Sequence, residues 1–150
     1  MKDSMHKYFQ IGLIHFMAFP TTMRGEGDIY GTMKKIATDD YFDAVEMTWV
    51  KDADVRAQVR ELLAESHLTV CYGAQPRLLT TGLNPNDLDE EGRKKAEATL
   101  IEAIDEAEFL GARGIAFLSG KWEAATREQS YAQLIKTTDA LCTYAAGKGM

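Results

Sequence analysis

The chain alternates four short apolar segments with longer segments that mix apolar and polar residues. The apolar segments cover residues 9 to 19, 42 to 50, 68 to 73 and 114 to 120. The first is too continuously apolar for a strand with one wet face, which favours a parallel strand covered on both sides. The second holds β-branched and aromatic residues over a short span. The pattern therefore predicts four strands, each followed by a helix.

The intervening segments repeat apolar residues at helical spacing. Asp28 and Asp52 are placed to cap the first two helices, and the second is predicted to end near His67. A third helix is predicted over residues 88 to 110, and a fourth begins at a capping box from Thr126 to Gln129. The positions expected to face the core are Ile29, Met33, Ile36 and Ala37 in the first helix, Val55, Val59, Leu62 and Leu63 in the second, Ala96, Leu100, Ala103, Ile104 and Ala107 in the third, and Tyr131, Leu134, Ile135, Thr138, Leu141, Cys142 and Ala145 in the fourth.

Residues 74 to 87 separate the third strand from the third helix. This segment is polar and contains Pro76, Gly82 and Pro85, so we interpret it as a long loop. Long loops in compact domains are often functional.

The order of one strand followed by one helix, repeated four times, requires a parallel sheet with right-handed connections. Either an open doubly wound sheet or part of a closed barrel satisfies that order. A nucleotide-binding open sheet would carry G-x-G-x-x-G after its first strand, and the pair Gly25 and Gly27 is only a fragment of that motif and comes too late. We interpret residues 1 to 150 as a single α/β domain.

Composition and charge narrow the classes of protein to consider. With 45% hydrophobic and 27% charged residues, the composition is that of an ordinary globular domain. The net charge of -6 argues against a nucleic-acid partner, which would need a clustered basic face. No segment approaches the roughly 20 apolar residues that span a bilayer. Cys71 and Cys142 fall in apolar segments and are predicted to be reduced core residues, as expected in the cytoplasm.

Three motifs resemble one known family. Phe42-Asp-Ala-Val-Glu46 resembles its second strand, Leu110-Gly-Ala-Arg-Gly-Ile115 resembles the end of its third helix and the start of its fourth strand, and Ala145-Ala-Gly-Lys-Gly149 is similar to the segment before its fifth strand. The family is that of the xylose-isomerase-like TIM barrels, which includes sugar phosphate isomerases and epimerases. The resemblance covers about residues 10 to 150 and implies about four strand-helix units of a (β/α)8 barrel, its N-terminal half.

The resemblance also implies an activity: metal-dependent isomerisation or epimerisation of a sugar or sugar phosphate. Such a reaction moves a proton through an enediolate, so it needs carboxylate bases and a cation that stabilises the developing charge. In the family, Mn, Mg, Co or Zn is bound mostly by two Glu, one Asp and one His on strands five to eight. We therefore expect no complete metal site and no catalytic residue in this chain, which alone would be inactive. The alternative is a non-catalytic half-barrel that serves as a binding or interaction module.

Some barrels of this type are zinc-dependent endonucleases that act at abasic DNA sites. Those proteins place histidine ligands on strands of the first half. The third and fourth predicted strands contain VCYG and AFLSG, without a histidine. This departure, together with the acidic charge, argues against a nuclease.

Active sites of such barrels lie at the C-terminal ends of the strands. Glu46 lies inside an apolar strand, where burying a carboxylate costs free energy unless it is paired or liganded. It therefore either lines a pocket or forms a structural salt bridge or hydrogen bond. His15 alternates with Leu13 and Met17, so it either points into the mouth of the barrel or is a hydrogen-bonded core histidine.

Other candidate substrate-binding residues follow the third and fourth strands. Tyr72, Gln75 and Arg77 are predicted to hydrogen-bond sugar hydroxyls or a phosphate, although the polarity of a loop would also explain them. Lys121 and Trp122 are predicted to meet an anionic substrate and to stack on a sugar. A tryptophan that only covers the rim of the barrel is the alternative.

A half-barrel would leave two strand edges unpaired and part of its apolar interior uncovered. We therefore predict that the chain associates with a second copy or with a complementary half-barrel. Flattening into a flavodoxin-like sheet is the alternative.

Overall fold

Four parallel strands form one sheet in this computed structural model, which describes residues 5–150. They are β1 (Gly12–Ile14), β2 (Ala44–Met47), β3 (Thr69–Gly73) and β4 (Ile115–Ala116), and each pairs with its neighbours in sequence. A flavodoxin-like sheet would have the order 2-1-3-4. The observed order β1-β2-β3-β4 is that of consecutive barrel strands and confirms the predicted α/β half-barrel.

Six α-helices follow or connect the strands within residues 5–150. They are α1 (His15–Ala18), α2 (Ile29–Ala37), α3 (Ala53–Glu65), α4 (Gln75–Thr81), α5 (Glu90–Phe109) and α6 (Arg127–Gly147). The predicted caps form, since Asp28 accepts a hydrogen bond from the Gly31 amide and Asp52 from the amides of Asp54 and Val55. Among the described residues, no helix is long and apolar enough to cross a membrane.

The pairing register separates the two faces of the sheet. Val45, Val70 and Tyr72 point toward the helices and join the core with Leu100 and Ile104. The opposite face carries Gly12, Ile14, Ala44, Glu46, Thr69, Cys71 and Ala116, and we call it the open face. Its residues are exposed or half-buried, whereas the helix-facing residues of β2 and β3 are buried.

The predicted strands are longer than the observed ones. The apolar run of residues 9 to 19 contains only the three-residue β1 and then turns into α1, in which His15 and Phe16 are buried. The predicted strand over residues 114 to 120 is reduced to two residues. A short apolar run does not distinguish a strand from a buried helical turn by periodicity, which explains the error at β1.

The segment interpreted as a loop, residues 74 to 87, contains the helix α4. Pro76 lies in the first turn of this helix, where its missing N–H costs nothing. Gly82 ends the helix in the left-handed conformation with a φ of 69°. The prediction of a loop was wrong because proline and glycine act here as start and stop signals of a short helix.

The buried face of α6 also differs from the prediction. Leu141 is buried as predicted, whereas Tyr131 and Ile135 are exposed, and the other buried residues are Ser130 and Thr137. The Thr126 capping box does not form, because its hydroxyl donates to the Glu123 carbonyl and caps no amide. Helical periodicity identified an apolar stripe correctly but not the side of the helix that faces the sheet.

Both cysteines are free, but neither lies in the core. Cys71 is on the open face of β3 and Cys142 is on the exposed side of α6. The prediction of buried cysteines was wrong because it assumed that an apolar segment is covered on both sides.

Candidate functional site

Glu46 and Gln75 come together at the C-terminal ends of β2 and β3. Glu46 projects from the open face of β2, and Gln75 is the first residue of α4, directly beyond β3. The Gln75 Nε2 donates to Glu46 Oε1 at 3.4 Å. The two predicted site residues therefore form one polar pair at the end of the sheet where barrels of this kind bind their substrates.

Gly73 allows this pair to lie over the end of β3. A Cβ atom at this position would lie 2.3 Å from Glu46 Oε1 and 2.5 Å from Gln75 Oε1. It would also lie 3.0 Å from the ring of Phe16, which covers the same strand end. Gly73 and Phe16 were missed by the sequence analysis, although a glycine at a strand end is a known signal of close approach.

Two buried oxygen atoms beside this strand end have no hydrogen-bond partner among the described residues. They are Oε1 of Gln75 and Oγ1 of Thr48, the residue that follows β2. A buried acceptor without a donor costs free energy. A hydroxyl group that donates to either atom would remove this cost.

Tyr72 and Arg77, by contrast, belong to a buried network on the helix side of the sheet. Arg77 donates from Nε to the Tyr72 hydroxyl at 3.1 Å and pairs through Nη2 with Glu106 of α5. Glu106 also accepts from the Val50 amide at 2.6 Å. Burial raises the pKa of Tyr72, so its hydroxyl stays protonated. The structure separates these residues from the open face.

His15 occupies the core position rather than the mouth of the half-barrel. Its ring contacts Thr32 Oγ1 through Nε2 at 2.8 Å and Thr22 Oγ1 through Nδ1 at 3.5 Å. The Thr32 hydroxyl donates to the Asp28 carbonyl, so the His15 Nε2 carries the proton and donates to Thr32. Burial lowers the pKa of His15 to about 4, which keeps the ring neutral. The histidine links α1 to α2.

Lys121 and Trp122 lie at the rim, in the loop after β4. The Lys121 amide donates to Asn84 Oδ1 at 3.2 Å, which joins this loop to the one before α5. Trp122 is 59% exposed, and the Arg127 guanidinium lies 5.9 Å from its ring. Both residues line a cleft of about 760 Å³ with the buried Asn86, whose Oδ1 has no partner among the described residues. The sequence pattern gave no signal for Asn84 and Asn86.

The residues that meet at the open face do not fit a divalent metal. A hard cation takes several oxygen or imidazole ligands that converge on one point. Glu46 is the only carboxylate of the pair, and its Oε1 already accepts from Gln75. Within residues 5–150, no group of three or more His, Cys, Asp or Glu side chains is placed to hold a metal ion.

Several solved structures share this fold. A D-tagatose 3-epimerase-like protein is similar over 95% of this chain and 51% of its own length, with a TM-score of 0.74 and 18% identity. The D-psicose 3-epimerase of Clostridium cellulolyticum H10, solved with D-tagatose, is similar over 95% of this chain and 50% of its own, with a TM-score of 0.69 and 18% identity. An L-ribulose 3-epimerase is similar over 91% and 47%, with a TM-score of 0.64 and 21% identity. The chain thus spans about half the length of these structures.

The family of the chain is shown by a match of its sequence to a family model. None of the curated proteins matches the chain. The sequence model of the xylose isomerase-like TIM barrel, however, matches residues 35–150. This match covers most of the chain and agrees with the observed order of its strands. The chain therefore belongs to the xylose isomerase-like TIM barrel family.

Proposed function

We propose that this chain forms part of the substrate-binding mouth of a sugar isomerase or epimerase. The observation that carries the proposal is the pair of Glu46 and Gln75, which lies over Gly73 at the C-terminal strand ends. In this role both side chains hydrogen-bond the hydroxyl groups of a sugar.

The chemistry of the pair suits a polyol. An ionised carboxylate accepts from several hydroxyls, and a carboxamide both donates and accepts. The unpartnered oxygens of Gln75 and Thr48 add two acceptors beside the pair. At the rim, the exposed ring of Trp122 offers a flat apolar surface on which the C–H face of a sugar stacks, and Lys121 is available to a phosphorylated one.

The related structures support the choice of a sugar. The names of those proteins include a D-psicose 3-epimerase and an L-ribulose 3-epimerase, which act on sugars. Epimerisation needs an acid or base on each side of the sugar carbon and a cation for the enediolate charge. We propose that the complete barrel brings those groups from strands other than β1 to β4, and that this chain contributes binding.

Titration of the full chain with D-tagatose or D-psicose, followed by ligand-observed NMR, tests the proposal. We expect saturable binding that Glu46→Gln weakens at least tenfold, because hydrogen bonds to a charged group contribute about 1.5–3 kcal/mol. Gly73→Ala is expected to weaken binding similarly, since its Cβ displaces both members of the pair.

The matched control is Gly114→Ala, because a Cβ at Gly114 has no neighbour within 4 Å. This variant should bind the sugar as the unchanged chain does. The absence of saturable binding in the unchanged chain, or full affinity in Glu46→Gln, would contradict the proposal. Repeating the titration with EDTA tests whether binding by this chain needs a metal, and we expect no change.

A further inference from the structure

We propose that the sugar-binding mouth contains an apolar subsite beside Gln75, and that the substrate is a deoxy sugar whose terminal methyl group this subsite covers. The inference rests on the proposed binding of a sugar by Glu46 and Gln75, and it deepens that function by naming the class of sugar. It is carried by a small pocket between α4 and the segment that follows β4.

Leucine side chains from two separate segments line this pocket, which has a volume of about 270 Å³. Leu79 of α4 and Leu83 beyond it form one wall, and Leu118, two residues after β4, forms the other. Pro85 also lines the pocket. Among the described residues that line it, only Lys121 is charged, and it is exposed to solvent. The pocket is therefore mainly apolar.

Contacts within this chain hold both walls of the pocket in place. The walls belong to the third and fourth strand-helix units, whose strands β3 and β4 pair with each other. The Lys121 amide donates to Asn84 Oδ1 at 3.2 Å and so joins the segment after β4 to the segment after α4. The pocket thus lies between two paired units of the sheet and not at an outer edge.

Backbone contacts place the pocket next to Gln75. The Ala74 amide donates at 2.8 Å to the carbonyl of Ala116, the last residue of β4. Gln75 follows Ala74 directly, and Leu118 lies two residues beyond Ala116. Gln75 and Leu79 are four positions apart on α4, a spacing that puts two side chains on the same side of a helix with Cβ atoms roughly 5–6 Å apart. A sugar held by Gln75 therefore reaches the leucines with one of its ends.

The exposure of the leucines decides which sugar end fits. Leu79 is 65% exposed and Leu118 is 41% exposed, so both offer apolar surface that a ligand can cover. Covering a group the size of a methyl is worth about a fourfold gain in affinity. A hydroxymethyl group placed between leucines would instead lose hydrogen bonds to water. The chemistry of the pocket thus favours a methyl terminus.

Titration of the full chain with D-tagatose and with its 1-deoxy and 6-deoxy derivatives tests the inference by ligand-observed NMR. Each derivative replaces one terminal hydroxyl by hydrogen, so the two together cover both directions in which the sugar can bind. We expect one of them to bind about fourfold more tightly than D-tagatose. Its methyl protons should receive the strongest saturation from the protein.

A matched pair of variants tests whether this pocket causes the preference. Leu118→Asn places a polar carboxamide in the pocket and should reduce the preference for the deoxy sugar to about one. Leu88→Asn makes the same exchange at a leucine that is 45% exposed and lines a different cleft, so it should keep the fourfold preference. Because the preference is a ratio measured on each variant, any difference between the free sugars in solution cancels. If Leu118→Asn fails to fold by circular dichroism, the more exposed Leu79→Asn takes its place.

The outcomes separate this inference from the proposed function. Binding of D-tagatose without a preference for either deoxy derivative, or a preference that survives Leu118→Asn, overturns the subsite and leaves the binding of sugar intact. D-Tagatose 6-phosphate that binds more tightly than the deoxy sugars, and loses this advantage in Lys121→Gln, also overturns it, because the pocket would then take a charged end. The absence of saturable binding by every one of these sugars overturns the proposed function and this inference with it.

Discussion

His15, the residue that follows β1, and Glu46 of β2 are two polar side chains with opposite environments. Glu46 projects to the open face of β2, where Gln75 and uncovered surface surround it. His15 begins α1 and is 1% exposed, between two threonine hydroxyls. The carboxylate is thus available to a ligand, whereas the imidazole stabilises the fold.

The buried His15 should make stability depend on pH. In the folded chain its pKa is lowered to about 4, against about 6.5 in the unfolded chain. Below pH 6.5 the unfolded state binds a proton that the folded state does not, so stability is lost as the pH falls from 6.5 toward 4. The loss attributable to His15 should reach up to about 3 kcal/mol. Urea unfolding at pH 7.5 and at pH 5 measures the part of this loss that is reached by pH 5, about 2 kcal/mol.

His15→Gln isolates this contribution from that of the carboxyl groups. The variant should have a smaller difference in unfolding free energy between the two pH values than the unchanged chain. His67→Gln, at an exposed position, serves as the control and should retain the full difference. Equal pH dependence in the unchanged chain and in His15→Gln would show that the imidazole does not remain neutral.

At the scale of elements, one carboxylate joins three segments. Glu106 of α5 binds Arg77 of α4 and the Val50 amide before α3. The side chains of Arg77 and Glu106 are both less than a tenth exposed. Burial raises the pKa of Glu106, and Arg77 partly offsets that effect. The pair therefore fixes how α4, which carries Gln75, sits on α5.

Removing the Glu106 carboxylate should lower the free energy of unfolding. Glu106→Ala leaves the Arg77 guanidinium buried without its partner, and breaking a buried pair in this way costs about 3–5 kcal/mol. Chemical denaturation followed by circular dichroism measures the loss. Glu91→Ala breaks the exposed pair of Glu91 with Lys95 and should leave the midpoint unchanged. A small effect of Glu106→Ala would mean that water or Glu102 replaces the carboxylate.

The strand-helix order was readable from the sequence because apolar periodicity and caps such as Asp52 are local signals. The length of β1, the helix α4 and the buried face of α6 were not, because tertiary packing decides them. The same distinction applies to the candidate site. Glu46 and Gln75 were recognisable as polar residues at strand ends. The roles of Gly73 and Asn86, in contrast, follow only from the atoms that surround them in the folded chain.

At the scale of the whole molecule, stability and assembly should be linked. The described residues pack one face of the sheet against helices and leave the open face and most of α6 uncovered. If two copies cover these surfaces in each other, association adds its free energy to that of folding. Any reaction that binds only the folded state stabilises it by mass action.

The midpoint of thermal unfolding should therefore rise with the concentration of the chain. A monomer that unfolds in two states has a midpoint independent of concentration, whereas a dimer that dissociates as it unfolds does not. Calorimetry over a hundredfold range of concentration should show a steady rise for the unchanged chain and a smaller rise for Ile135→Glu, which places a charge at an exposed apolar position of α6. A constant midpoint for both chains would mean that the four-stranded unit is stable without a partner, and that association does not contribute to its stability.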